Sequence, residues 1–343
     1  MAEEMLAARL DRTSGGFALK RIPVPEPGRG QVRVKVKAAG VCASDVHLIA
    51  GVVKPPNVQD GEVTLGHETA GVIDKVGPGV FALGAVGGVG VGTRVVIIGG
   101  KAIFGQVLAL GSDFDGGWAE YIVVPVEMVV PIPDSLPYEQ AAIIPDAVST
   151  PWGAVSSTAN VRAAEAVGVW GAGGLGVHAI QLLRLVGAAP IVAVDPSPAA
   201  RTRALAFGAD LALDPGQPDL AERILGVTDR LALAAAFDFS GTAAARAQAL
   251  ANVAVGGRLV LVGLSGDAIT IPNGDELLYT RRAVLGHFGY DEHHLAQLIR
   301  LAKLGRLDLS ASITRTYPLA EAAQAVHDLE HKVGDPVRLV LIP

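Results

Sequence analysis

At 343 residues the chain exceeds one ordinary core and suits two domains. Half of its residues are apolar and 18% are charged, which excludes a disordered chain. It carries 28 basic and 34 acidic residues for a net charge of -6, with no Lys/Arg cluster to suggest a nucleic-acid partner, and no run reaches the roughly 20 apolar residues of a membrane helix.

The opening Met1-Ala2-Glu3-Glu4 is acidic and lacks the basic start and apolar core of a signal peptide, so a cytoplasmic protein is expected. From about Phe17 to Pro133 the chain reads as short strands and loops. Gln31–Ala38 alternates apolar and polar residues, the pattern of a half-buried strand. Arg94–Ile98 and Tyr121–Val124 are further β-branched runs bounded by Gly or Pro. The pattern changes after Thr150. Val167–Trp170 is a short apolar strand entering a glycine-rich turn, and a helix follows. On that helix His178, Gln181 and Arg184 form a polar stripe while Val177, Ile180 and Leu183 face inward. Ile191–Val194 is the next strand, then a helix over about Ala199–Phe207 closed by Gly208. Strand-like runs return at Ala236–Phe239, Arg258–Val262 and Ala283–Leu285. A helix over about Leu319–Leu329 and a strand at Val337–Ile342 complete the pattern. Strands alternating with helices predict a doubly wound parallel sheet covered on both faces.

Gly171-Ala172-Gly173-Gly174-Leu175-Gly176 satisfies G-x-G-x-x-G with one added glycine. In such a turn one Gly makes the bend, the next lets backbone approach a pyrophosphate, and the last lets helix and strand pack closely. The helix N-terminus offers free N–H groups and the positive end of its dipole to the phosphates. The pattern follows a strand, precedes a helix and leads to a second strand ending at Asp195, 19 positions past Gly176, which is the full dinucleotide-binding context. A carboxylate there accepts hydrogen bonds from the adenosine ribose and repels a 2′-phosphate, so NAD is expected over NADP. Gly84–Gly92 is equally glycine-rich but leads into the strand-like Thr93–Val96, and is read as a connection without a phosphate role.

Cys42-Ala43-Ser44-Asp45-Val46-His47 and Gly66-His67-Glu68-Thr69-Ala70-Gly71 carry the remaining chemistry. Cys42 is the one cysteine, so no internal disulfide can form, and a lone cysteine is most often a small buried apolar residue. Thiolate and imidazole are also the natural ligands of Zn²⁺. The segment Gly66-His67-Glu68-x-x-Gly71, with Gly77 and Val80 following, resembles the zinc signature of the medium-chain alcohol dehydrogenases, and the likeness extends over nearly the whole chain. It implies a strand-rich GroES-like catalytic domain over 1–149 and 286–343 beside a Rossmann NAD-binding domain over 150–285. It implies Cys42, His67 and Asp146 as ligands of one catalytic zinc. Glu68 would be a nearby acid or an occasional fourth ligand, and Asp45 would orient His67 through its other N–H. Ser44 and His47 match the family's proton relay, which carries the alcohol proton away by way of the cofactor ribose. Thr150 and Leu175 fall where the family lines the nicotinamide.

The implied activity is reversible oxidation of an alcohol to a ketone or aldehyde with NAD, in a cleft between the domains. Asp146 in place of Cys slightly favours secondary alcohols. Many relatives hold a structural zinc on four cysteines, whereas Ile97–Gly117 has neither Cys nor His, so none is expected there. Val53–Glu62 reads as an insertion between the first two ligands. With Ala43 where some relatives use a basic residue, Arg201 and Arg203 are candidates for the phosphate grip. Trp118, Trp152, His287 and Tyr290 are candidates for the substrate pocket. Arg258–Val262 and Ala283–Leu285 lie where the family dimerises, so a homodimer or homotetramer is expected. The alternatives are a metal-free quinone or enoyl reductase of the same fold, and a non-catalytic nucleotide-binding relative.

Overall fold

The computed structural model describes residues 3–52, 61–80, 89–103, 106–271 and 273–343, and no side chain of residues 101–107. The expectations for Val53–Glu62 and Gly84–Gly92 therefore fall largely outside the described residues. Two compact units form, Met1–Ala147 with Glu292–Pro343, and Val148–Asp291.

The first unit opens with the antiparallel pair β1 (Glu4–Asp11) and β2 (Phe17–Pro23), neither of which stood out in the sequence. In β3 (Gln31–Val41) the alternation works as expected: Val32, Val34 and Val36 are buried while Lys35 and Lys37 are exposed. This strand runs to Val41, and Ala38–Val41 is buried on both sides of the pleat. Helix α1 (Ala43–Ile49) follows at once. Strands β4 (Glu62–Thr64), β5 (Thr69–Val76) and β6 (Arg94–Ile97) come next, then a hairpin of β7 (Gly100–Ile103) and β8 (Gln106–Ala109). Strand β9 (Tyr121–Pro125), strand β10 (Val129–Pro131) and helix α2 (Tyr138–Ala142) lead to a π-helical turn at Ile144–Val148.

The second unit begins with helix α3 (Ser149–Gly153) and reaches β11 (Val167–Trp170), whose every residue is buried. Helix α4 (Gly176–Val186) ends at Gly187 with φ +83°, a left-handed cap that glycine adopts without strain. Strand β12 (Ile191–Val194) is again wholly buried, and α5 (Pro198–Ala206) starts from Ser197, whose side chain accepts from the Ala200 N–H, with Pro198 in the first turn. Then come β13 (Leu211–Leu213), α6 (Leu220–Val227), β14 (Leu233–Asp238), α7 (Ala243–Ala251), β15 (Val253–Leu261), α8 (Gly274–Thr280) and β16 (Ala283–Gly286). The six strands are parallel in the order β13-β12-β11-β14-β15-β16. The chain thus leaves β11 in one direction and returns to its other side at β14. Such a reversal opens a crevice at the carboxyl ends of the strands, where doubly wound sheets bind nucleotides.

The first unit then resumes with α9 (Glu292–Lys303), β17 (Ile313–Pro318), α10 (Ala322–Glu330) and β18 (Arg338–Ile342). Its larger sheet runs β10-β6-β5-β3-β18-β17, with β9 also on β3. Residues 339–341 of β18 pair with Ala39–Val41, which explains why β3 continues past its alternating part. The fold class is the one anticipated, a Rossmann sheet with a separate strand-rich unit. Among the described residues no helix is long and apolar enough to cross a membrane.

Candidate active site

The residues singled out around Cys42 and His67 come together in the first unit. Cys42 stands between the end of β3 and the start of α1. His67 and Glu68 lie between Gly66, a turn residue at φ +96°, and β5. Asp146 sits in the π-helical turn after α2, behind a fully buried Ile143-Ile144 pair. Such turns redirect a side chain within a helical path.

The thiol of Cys42 donates to Asp146 Oδ2 across 3.3 Å, and His67 Nε2 is 3.6 Å from the same oxygen. Two ligands on a tetrahedral zinc with bonds of about 2.0–2.3 Å are themselves about 3.3–3.8 Å apart, so these separations suit one shared ion. One donor atom from each of Cys42, His67, Glu68 and Asp146 lies within 4.8 Å of the others. Cys42 is buried and free of any disulfide.

Asp45 is fully buried and serves two of these residues. Its Oδ2 accepts the Cys42 N–H at 2.9 Å, and its Oδ1 is 3.3 Å from His67 Nδ1. A proton on Nδ1 leaves the Nε2 lone pair facing Asp146 and the thiol. Burial alone would push the His67 pKa down. The charge of Asp45, with hydrogen bonds to Asp146, Asp45 and Cys42, more than offsets it and raises the imidazole well above its usual range. Ser44, in the first turn of α1, places Oγ 3.4 Å from His67 Nε2, and His47 is half-buried three residues further along the same helix.

Glu68 is fully buried beneath the cluster. Its Oε1 accepts from the Ala147 N–H at 3.2 Å and lies 3.3 Å from Arg338 Nη2, while Oε2 has no hydrogen-bond donor among the described residues. Burial raises this carboxyl to about 8 against the pull of the Arg338 guanidinium. A carboxylate oxygen left in that state is costly unless a cation offsets it, which fits a divalent ion in the cluster. Gly40 makes room for the side chain, since a Cβ there would fall 1.9 Å from Oε2.

The second unit holds the glycine-rich turn. Gly171 takes φ +91°, and a Cβ on Gly176 would come within 1.8 Å of the Gly171 carbonyl, so strand and helix meet only because both are glycine. A Cβ on Gly173 would meet nothing within 4 Å, and the outer side of the turn is open. Asp195 leaves β12 with Oδ2 accepting the Ala172 N–H and Oδ1 the Ser197 N–H, both at 2.8 Å. Gly174 and Leu175 complete the turn into α4, where the Val177 N–H already donates to the Gly173 carbonyl at 3.1 Å. Thr150 is buried in α3, and Leu175 is half-buried.

Comparison with known proteins gives this geometry a context. Residues 28–134 match the model of the alcohol dehydrogenase GroES-like domain, and residues 174–303 match that of the zinc-binding dehydrogenases. The L-threonine 3-dehydrogenase of Pyrococcus abyssi is 31% identical over 338 residues, 92% of this chain and 92% of that protein. The chain belongs to the zinc-type medium-chain dehydrogenase/reductase family. Solved structures agree with its fold. The 2R,3R-butanediol dehydrogenase of Bacillus subtilis is 26% identical, with a TM-score of 0.88 over 99% of each chain. A chain described as a zinc-binding dehydrogenase from Sinorhizobium meliloti 1021, solved bound to NADP, is also 26% identical with a TM-score of 0.88, over 99% of this chain and 100% of its own.

Several residues of this medium-chain dehydrogenase differ from the sequence expectations. His178 is buried and not part of a polar stripe, because α4 is buried all round from Gly176 to Ile180; its Nδ1 donates to the Gly174 carbonyl at 2.6 Å. Trp118 is core and not a pocket wall: it is fully buried, with Nε1–H donated to the Gly40 carbonyl at 2.9 Å. Arg201 is committed to Asp214 and to the carbonyls of Asp195 and Pro196, whereas Arg203 reaches the Ala172 carbonyl of the glycine turn at 3.1 Å. Arg338 was missed altogether. It is buried in β18, with Nη2 3.8 Å from Asp146 Oδ2, and its only sequence signal was a charge opening an apolar strand.

Proposed function

We propose that this medium-chain dehydrogenase reversibly oxidises an alcohol, a secondary one by slight preference, to a ketone or aldehyde with NAD and one zinc per chain. The convergence of a thiol, an imidazole and a carboxylate at the spacing of tetrahedral zinc ligands carries this reading. When bound, the zinc polarises the substrate oxygen and the nicotinamide takes up the hydride. Cys42, His67 and Asp146 would hold the metal, and Asp45 keeps the His67 tautomer that makes this possible. Ser44 Oγ, close beside His67, accepts the hydroxyl proton of the substrate and hands it towards His47 and solvent. Gly171, Gly173, Gly174 and Gly176 would admit the pyrophosphate, Asp195 the adenosine ribose, and Thr150 and Leu175 the nicotinamide ring.

The test is zinc content followed by a panel of primary, secondary and cyclic alcohols monitored through NADH absorbance. About one zinc per chain and turnover of secondary alcohols are expected. Protein never exposed to chelator that contains no zinc and turns over no alcohol would overturn the reading and redirect the search to quinones and activated alkenes.

Asp195→Ala should narrow the preference for NAD over NADP by about 10–100-fold in kcat/KM, the value of one charge-assisted hydrogen bond and the lost repulsion. Loss of the tie to Ala172 affects both cofactors alike and cancels in the ratio. An unchanged ratio would remove Asp195 from cofactor choice.

A further inference from the structure

His287 is the first residue beyond β16, and its N–H donates to the Leu261 carbonyl of β15 at 2.9 Å. The half-buried imidazole is held on both nitrogens by one short helical stretch. Nδ1 lies 2.8 Å from Thr158 Oγ1, and Nε2 lies 3.0 Å from the Thr150 carbonyl. A carbonyl only accepts, so Nε2 bears the proton and Nδ1 accepts from the Thr158 hydroxyl. Burial holds the ring's pKa below the usual histidine value, which favours this neutral, singly protonated form. Gly153, between the two threonines, is shaped to the ring as well. A Cβ there would come within 2.9 Å of His287 Cε1. Three residues of 149–158 are thus fitted around one side chain from the end of β16.

In a sheet of this strand order, the second half of a dinucleotide lies over the carboxyl ends of the strands that follow the reversal, here β14, β15 and β16. We infer that His287 is a positioning residue for the nicotinamide half of the cofactor, clamping the Thr150 segment to the end of β16. The inference rests on the function proposed above, in which Thr150 stands beside the nicotinamide. His287 itself performs no chemical step. Its hydrogen bonds fix the distance between two backbone segments and so the width available to a planar ring.

The experiment is a fluorescence titration of the full-length protein with NADH, paired with competition by ADP-ribose, which lacks the nicotinamide. His287→Phe keeps a ring of similar size and loses both hydrogen bonds. Its NADH dissociation constant should rise about tenfold, as two bonds contributing roughly threefold each would give, while that for ADP-ribose stays within about twofold. His287→Gln retains an N–H donor for the Thr150 carbonyl and should recover most of the loss. If His287→Phe does not fold, Gly153→Ala keeps the imidazole but takes its space, and the same selective loss is expected. Equal weakening of both ligands, or of neither, overturns the clamp alone. A wild-type protein that binds ADP-ribose but not NADH overturns the proposed function and the clamp with it.

Discussion

Cys42→Ser is expected to lower alcohol turnover at least about a thousandfold while leaving the NADH dissociation constant within about twofold. A serine hydroxyl remains protonated at neutral pH and is a poor replacement for a thiolate ligand. The remaining His67 and Asp146 are a thin set for a structureless cation, and a catalytic metal contributes several kcal/mol to the barrier, about three powers of ten in rate. The glycine turn proposed for the nucleotide is built from Gly171–Gly176 and Asp195, none of which takes part in the Cys42 cluster. Zinc content and NADH titration on the same preparation separate the effects. Parallel loss of turnover and NADH binding in a folded variant would contradict the separation, and retained turnover would remove the metal from the mechanism.

Arg246→Met is expected to destabilise the second unit by about 3–5 kcal/mol, because removing one partner of a buried ion pair strands the other. Asp238 is fully buried at the end of β14, with Oδ2 3.1 Å from Arg246 Nε. Its Oδ1 accepts from the Ser240 and Gly241 N–H groups and the Ser240 hydroxyl, which orders the loop after β14. The same guanidinium donates to the Asp267 carbonyl at 2.6 Å and the Gly263 carbonyl at 3.0 Å, so it also ties down the loop after β15. Methionine fills much of the volume and replaces none of these bonds. Urea unfolding followed by intrinsic fluorescence, with Trp170 buried in the sheet as reporter, measures the loss. A change below about 1 kcal/mol would show the pair to be dispensable.

The parts of this molecule that were legible in its sequence are those decided locally. Val167–Trp170 and Ile191–Val194 are strands residue for residue as read, since parallel strands buried on both faces need unbroken apolar runs. The glycine turn was equally plain because its spacing is set by backbone contact, as at Gly176. What escaped depends on distant partners. The phase of α4 puts His178 on the same face as Gln181 and Arg184, but the helix is buried all round from Gly176 to Ile180, so that face becomes polar only further along. Trp118 is a pocket candidate in the sequence only by its position. In fact, Gly66 lacks the Cβ that would meet its indole at 2.2 Å, and the ring fills that space. For the proposed metal ligands, spacing alone leaves Cys42 and His67 ambiguous, and Asp146 enters through resemblance to a family. Arg338 offers locally no more than a charge at the start of an apolar strand, because its partners are Glu68 and Asp146.

That last residue sets a timetable for biosynthesis. Cys42, His67, Glu68 and Asp146 have all been synthesised when Arg338 is still 192 positions away, a delay of about 10–40 s at roughly 5–20 residues per second. During it Ala39–Val41 at the end of β3 lacks its neighbour β18, Glu68 lacks its guanidinium, and the whole second unit is made. The second unit can therefore be finished on the ribosome before the Cys42 cluster is enclosed, leaving the thiol of Cys42 open to ions and oxidants until the strand carrying Arg338 joins the sheet.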